Sequence, residues 1–324
     1  MTGGLLGTAA LIALTRPRLW ALGLAGFLAR GGIVLFVLPI LTLPSVVGLT
    51  TFVGPTAITA AGLSERFVAL AAIAAGILAA WLVAGTLVGA AVDVALVRSA
   101  LRPDEAAGWP GADPDRGGRG GRGARGDRGL VRRLFVVRLV TLIPLGLALA
   151  WGAARLVDVG YHELILPGDL ARPFVLRVLA GAPEVVLAIL VTWLAGELVG
   201  AVAVRLAIVE GRSAGPALRG ALRSIVRRPL GPLGILATTL GASAVVVAPP
   251  VAAATIAWEA VRTSLLGGAE LAPALLAVGV FVALWLGGLV LAGIAAAWRS
   301  IAWSVALVRD HRGAGAGTVD GGTL

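Results

Sequence analysis

The chain has 324 residues, of which 58% are apolar and only 14% charged, with a formal charge of +10 and a mean hydropathy of +0.96. A soluble domain is nearer half apolar and a quarter charged, so a water-soluble globule is excluded. All 27 basic residues are arginine and there is no cysteine, which removes P-loop phosphate binding, lysine Schiff bases, disulfides and thiolate chemistry.

Uninterrupted apolar length decides the class. A bilayer core about 30 Å thick needs roughly 20 apolar helical residues to cross it. Phe67 to Val92, Leu230 to Ala257 and Leu271 to Trp298 contain no Asp, Glu, Arg or His at all. The expectation is an all-α, polytopic transmembrane helix bundle forming a single domain over 1–324. Met1 to Leu14 carry no charge and Arg16 and Arg18 follow. That order does not match a secretory leader, so the first span is expected to insert and stay.

In chain order, six spans are read at about 19–43, 67–92, 134–154, 185–204, 230–251 and 273–295. Cytoplasmic loops retain positive charge. Segments on one side of these spans hold 21 arginines, the opposite side holds Arg66, Arg155, Arg172, Arg177 and Arg262, and Arg30 lies within the first span. Both termini are therefore expected in the cytoplasm. The all-arginine, Ala/Gly/Val/Leu-rich composition points to a GC-rich bacterium, hence a multi-pass protein of the bacterial inner membrane.

Internal similarity raises the prospect of three helical-hairpin repeats related by an axis along the membrane normal. Residues 84–90 (Ala-Gly-Thr-Leu-Val-Gly-Ala) match 195–201 (Ala-Gly-Glu-Leu-Val-Gly-Ala) at six of seven positions, and Val94-Ala95-Leu96-Val97-Arg98 recurs as Val305-Ala306-Leu307-Val308-Arg309. Convergence within a small alphabet explains the same matches. The GxxxG spacing of Gly85 with Gly89, and of Gly196 with Gly200, predicts close helix packing.

Between the second and third spans, 103–129 reads as a disordered Gly/Arg-rich cytoplasmic linker, too polar to offset its ordering entropy. Its Arg116, Arg119, Arg122, Arg125 and Arg128 recur every third residue with no aromatic among them. Nucleic-acid binding would want interleaved stacking rings, so contact with anionic headgroups or a plain topology signal is the preferred reading. The tail 310–324 is read as disordered as well.

The loop between the fourth and fifth spans predicts an amphipathic helix capped by Ser213. Arg212, Arg219, Arg223 and Arg227, followed by Arg228, fall on one arc, and Leu218, Ala221, Leu222 and Ile225 on another. Such a helix lies in the interface with arginines toward phosphates. It serves as an anchor or as a surface for lipid or a membrane partner.

Two charges fall at membrane depth, Arg30 and Glu197. Each costs at least about 2.5 kcal/mol on insertion scales and so needs a partner or water. Helical rise places them within a guanidinium's reach, predicting an Arg30–Glu197 pair that acts as a clasp or as a polar site for an anionic substrate, headgroup or proton. Asp93, Arg205 and Arg299 are placed at helix ends, in structural roles.

Catalytic groups are sparse. The only histidines are His162 and His311, too far apart for a two-His metal site on one helix. His162-Glu163 begins like HExxH without its second His. Ser243 has no membrane histidine to activate it. No catalytic residue, metal site or cofactor is expected.

The segment Ser213 to Pro229 (Ser-Ala-Gly-Pro-Ala-Leu-Arg-Gly-Ala-Leu-Arg-Ser-Ile-Val-Arg-Arg-Pro), with Arg16-Pro17-Arg18-Leu19 opening the chain, resembles bacterial six-helix integral membrane proteins related to the membrane domain of glycerophosphodiester phosphodiesterases. The likeness covers the C-terminal half. It implies fold and not activity, because no soluble phosphodiesterase domain is read in these residues. The same loop also resembles the coupling helix of ABC-transporter permeases but lacks the Glu-Ala-Ala start.

Two function classes follow. A non-enzymatic component that binds anionic lipid or a partner through its cytoplasmic arginines predicts a tightly packed bundle with no continuous cavity. A transporter or permease subunit predicts a water-accessible cavity lined by Arg30 and Glu197. Nothing in the sequence argues specifically for transport, so the first is the expectation.

Overall fold

A computed structural model describes residues 2–37, 40, 58–59, 62–63, 65–100, 122–166, 172, 174–268 and 270–316. Its helices are α1 (Thr2–Thr15), α2 (Pro17–Phe27), α3 (Ile33–Val37), α4 (Glu65–Ala100), α5 (Arg122–Ile165), α6 (Phe174–Ala180), α7 (Pro183–Val209), α8 (Ala214–Arg227), α9 (Leu230–Leu266) and α10 (Leu271–Ala316). A two-residue antiparallel pair, Ile58–Thr59 with Gly62–Leu63, is the sole sheet among the described residues.

Among the described residues six stretches are long and apolar enough to cross a membrane: Pro17–Val37, Val68–Ser99, Arg128–Glu163, Pro183–Val209, Leu230–Leu266 and Leu271–Ala306. They are the six spans read from the sequence. Most run longer than expected because a helix, once nucleated, gains a hydrogen bond with every residue added. No proline lies between Pro114 and Pro144 or after Pro273, so nothing stops α5 or α10. Hence 122–129, placed in the linker by composition, are helical, as are 310–316 of the expected tail. Residues 103–121, 317–324 and most of 38–43 lie outside the described residues.

The first span is broken. Between α2 and α3, Leu28–Gly32 forms a π-helical turn, with Gly31 at φ +90°. A side chain is strained in that region and glycine is not. Beyond the break, Trp285 Nε1 on α10 donates to the Phe36 carbonyl at 3.0 Å, satisfying a group freed where the helix ends. Pro144, Pro249 and Pro250 are accommodated inside spans, which neighbouring helices make tolerable in lipid.

Helix α1, not foreseen from the sequence, is too short to span. It docks Ala9 and Ala13, both fully buried, against Ile301 and Ala302 of α10. Trp298 Nε1 donates to the Leu6 carbonyl at 3.2 Å and Trp20 Nε1 to the Ala13 carbonyl at 2.7 Å.

Along α4 and α7 burial gathers at one end. Along α7, Val186, Leu187, Leu190 and Val191 are exposed, while Leu198 and nearly every residue from 200 to 209 are buried. Helix α4 exposes its course from 72 to 84 and buries Val92, Val94, Leu96 and Val97. The packed end is the one that carries α8 and the arginine-rich connections. There Leu134, Val137, Ala203, Val204, Ala217 and Ala221 form the largest core. The exposed end is an apolar surface suited to lipid tails.

Small residues bring the backbones together. A Cβ on Gly85 would sit 2.1 Å from the Ala29 carbonyl, and one on Gly196 2.7 Å from that of Thr141. One helical turn on, Gly89 lies under the Arg30 side chain and Gly200 under that of Arg138. The repeated seven-residue stretch thus makes the same kind of contact in the first two hairpins: the first glycine meets the preceding span's backbone, and the second makes room for its arginine.

Candidate functional site

The packed end encloses a group of charges that no loop supplies. Asp93, only 2% exposed, accepts from Arg30 Nη2 on one oxygen and from Arg138 Nη2 at 3.0 Å on the other. Arg138 also reaches Glu197, with Nη1 3.7 Å from Oε1. Arg299 Nη2 donates to Glu197 Oε2 at 2.7 Å. A chain of alternating charge therefore runs from the first span through α4, α5 and α7 to α10.

The expected Arg30–Glu197 pair does not form. Both residues are in the cluster, but Arg30 takes Asp93 while Glu197 takes Arg299 and Arg138. Asp93, Arg205 and Arg299 are not snorkelling ends either. Helices α4, α7 and α10 continue past the places where hydropathy falls, so positions near the expected ends become interior. Arg138, inside the expected third span, is 9% exposed within α5.

Arg205, on α7, is the exception in the group. It is 4% exposed, and no carboxylate lies within ion-pair distance of it among the described residues. Nη1 donates to the Ala201 carbonyl at 2.8 Å and Nη2 to the Ser300 carbonyl at 3.0 Å. Its Nε has no partner, and its guanidinium carbon stands 5.8 Å from the Trp303 ring centre. Four arginines against two carboxylates leave the cluster with two surplus positive charges.

Two cavities meet at this cluster. The larger, of about 670 Å³, is bounded by the first span, α7, α9 and α10, and Arg30, Asp93, Arg138, Glu197, Arg205 and Arg299 all line it. The smaller, of about 210 Å³, lies toward the exposed end between α4, α5 and α7 and shares Arg30, Arg138 and Glu197. Three more buried polar atoms without partners, Arg138 Nε, Ser243 Oγ and Trp303 Nε1, belong to residues lining the larger cavity. Like Arg205 Nε, these atoms are themselves closed off from the space, so it is the two surplus positive charges of the lining that make an oxyanion the chemistry that fits. No histidine lines that cavity to activate Ser243. Among the described residues no three His, Cys, Asp or Glu side chains gather as a metal site.

The loop helix forms as expected from its pattern, as α8. Ser213 occupies the N-cap position, yet its side chain makes no capping bond and its carbonyl accepts from Ala217 N at 3.0 Å. Ala217 and Ala221 are buried against the bundle, with Leu218 and Ile225 packed beside them. Arg219, Arg223, Arg227 and Arg228 are exposed, and Arg212 pairs with Glu210. Leu222 does not join the buried arc. It is exposed next to Val226 and Leu230, so an apolar strip borders the arginines.

No known protein family, curated protein or solved structure matches this chain. The chemistry of the site carries the functional reading.

Proposed function

We propose that this chain is an integral membrane protein of the carrier or permease class that binds an oxyanionic substrate in its larger cavity. The observation behind this reading is Arg205. It is a buried guanidinium with no carboxylate within ion-pair distance among the described residues, at the edge of a cavity whose lining carries two surplus positive charges. A buried charge is tolerated only with a partner or water, and a negatively charged substrate supplies one. The cavity is the feature that separates the two function classes, and its presence moves the reading from a closed lipid-binding bundle to the transporter class.

The arginine arc of α8, with Leu222 and Val226 beside it, serves as the interfacial anchor on anionic headgroups. By the positive-inside rule this face is cytoplasmic and both termini lie inside, in a bacterial inner membrane. Binding and passage of the anion, without chemistry on it, is the proposed activity; the cavity offers no activated nucleophile.

Intrinsic tryptophan fluorescence tests this, since Trp193 and Trp303 line the cavity. In nanodiscs of zwitterionic lipid, titration with inorganic phosphate should give a saturable change that Arg205→Gln weakens at least tenfold. A wild-type signal that does not saturate, or one identical in the variant, would overturn the proposal.

A further inference from the structure

The same cavity has a second, apolar half, and its shape narrows the ligand class. Arg205, Ser300 and Trp303 mark one end. From Leu240 onward the wall is Ala244, Val247, Ala248 and Val251 of α9, faced by Phe27 and Leu35 of the first span. Leu240 stands ten residues into α9 and Val251 twenty-one. At 1.5 Å per residue the apolar wall therefore continues on the order of 15 Å beyond the arginines, toward the exposed end. Leu35 is 48% exposed and Ala244 and Ala248 are also exposed, so this half opens sideways at a depth where lipid tails lie.

A small hydrated anion would use only the arginine end and leave the apolar wall facing empty space. A neutral lipid would leave the two surplus positive charges of the cluster unbalanced. One ligand satisfies both halves: a dianionic head joined to a hydrocarbon tail. Two surplus charges match a phosphate monoester better than a phosphodiester or carboxylate, each of which brings only one. Resting on the anion-binding reading above, we infer that the ligand is a membrane amphiphile with a phosphate-monoester head. Its head sits at Arg205, Arg138 and Arg299, and its tail lies along residues 240–252 of α9. It enters from the leaflet on the arginine-rich side, because the cluster lies within about four turns of the helix ends there.

A phosphatidic acid carrying a diazirine on its acyl chain tests this in nanodiscs, with labelled peptides mapped by mass spectrometry. The exposed half of α4, residues 72–84, reports labelling by bulk lipid. Labelling at 240–252 should exceed that at 72–84 at least fivefold with phosphatidic acid and match it with a phosphatidylcholine probe. Arg205→Gln should bring the ratio near one. Ala248→Trp, which fills the tail path from a residue on the lipid-accessible side, should lower it also and covers the case in which the arginine variant fails to fold. Equal labelling of the two segments by phosphatidic acid in the wild-type protein overturns the inference. If inorganic phosphate still quenches in a saturable way, the anion site stands and its ligand is a free phosphate compound. If neither probe binds, the site itself is refuted.

Discussion

The two ends of helix α4 have nearly the same composition and opposite surroundings. Residues 72–84 are Ala, Ile, Leu, Gly, Trp and Val, and all are exposed; residues 85–97 add little but Asp93 and Thr86 to that alphabet, yet most are buried. Apolar character does not distinguish them, because lipid tails satisfy a leucine as well as another helix does. What gathers the helices at one end is close backbone approach at Gly85 and Gly196, together with charges that lipid cannot solvate. Along α4 the polar minority, not the apolar majority, fixes where the helix packs.

That contrast can be attacked at several points. The largest effect is expected from Asp93→Ala. It strips Arg30 and Arg138 of their shared carboxylate, and breaking a buried pair costs about 3–5 kcal/mol. Thermal unfolding in detergent should show little or no cooperative transition, and an unchanged Tm would show that the cluster does not hold the bundle.

Next come Gly85→Ala and Gly196→Ala, whose new Cβ atoms would meet backbone carbonyls. Overpacking of this kind costs about 1–3 kcal/mol. Gly76→Ala on the exposed half, where nothing lies within 4 Å, is the control and should leave Tm unchanged or slightly raised. Equal effects at positions 76 and 85 would erase the difference between the ends.

A smaller coupling is expected between Glu197 and Arg299. In a double-mutant cycle with Glu197→Gln and Arg299→Gln, the two losses should fall short of additivity by about 0.5–3 kcal/mol. The cycle of Glu197 with Arg30, which share no ion pair, should show much less coupling. Least of all, Ile77→Ala, at a side chain 66% exposed, should change stability by no more than about 0.5 kcal/mol.

How much of this was legible follows the same division. The six spans could be read because twenty apolar residues in a row have few other uses, and the glycine pairs because close packing needs small residues at that spacing. Arg30 and Glu197 could be flagged because they interrupt apolar runs. Their partners could not be read, because Asp93, Arg138 and Arg299 sit where hydropathy changes, and hydropathy does not say that the helix continues. Extending each span by two turns at its basic end would have placed Arg205 and Arg299 inside with Arg138 and shown four arginines facing two acids. The π turn at Arg30 carried a trace in the Gly31-Gly32 pair. The cavity carried none: it is a gap between α7 and α9, a property of packing that no single segment encodes.

The central claim is that Arg205 waits for an anion from outside the chain. An experimental structure in nanodiscs containing phosphatidic acid reads it directly. The account predicts density for an oxyanion within hydrogen-bond distance of the Arg205 guanidinium, with a tail running along α9. A closed bundle in which a protein carboxylate occupies that place would contradict it.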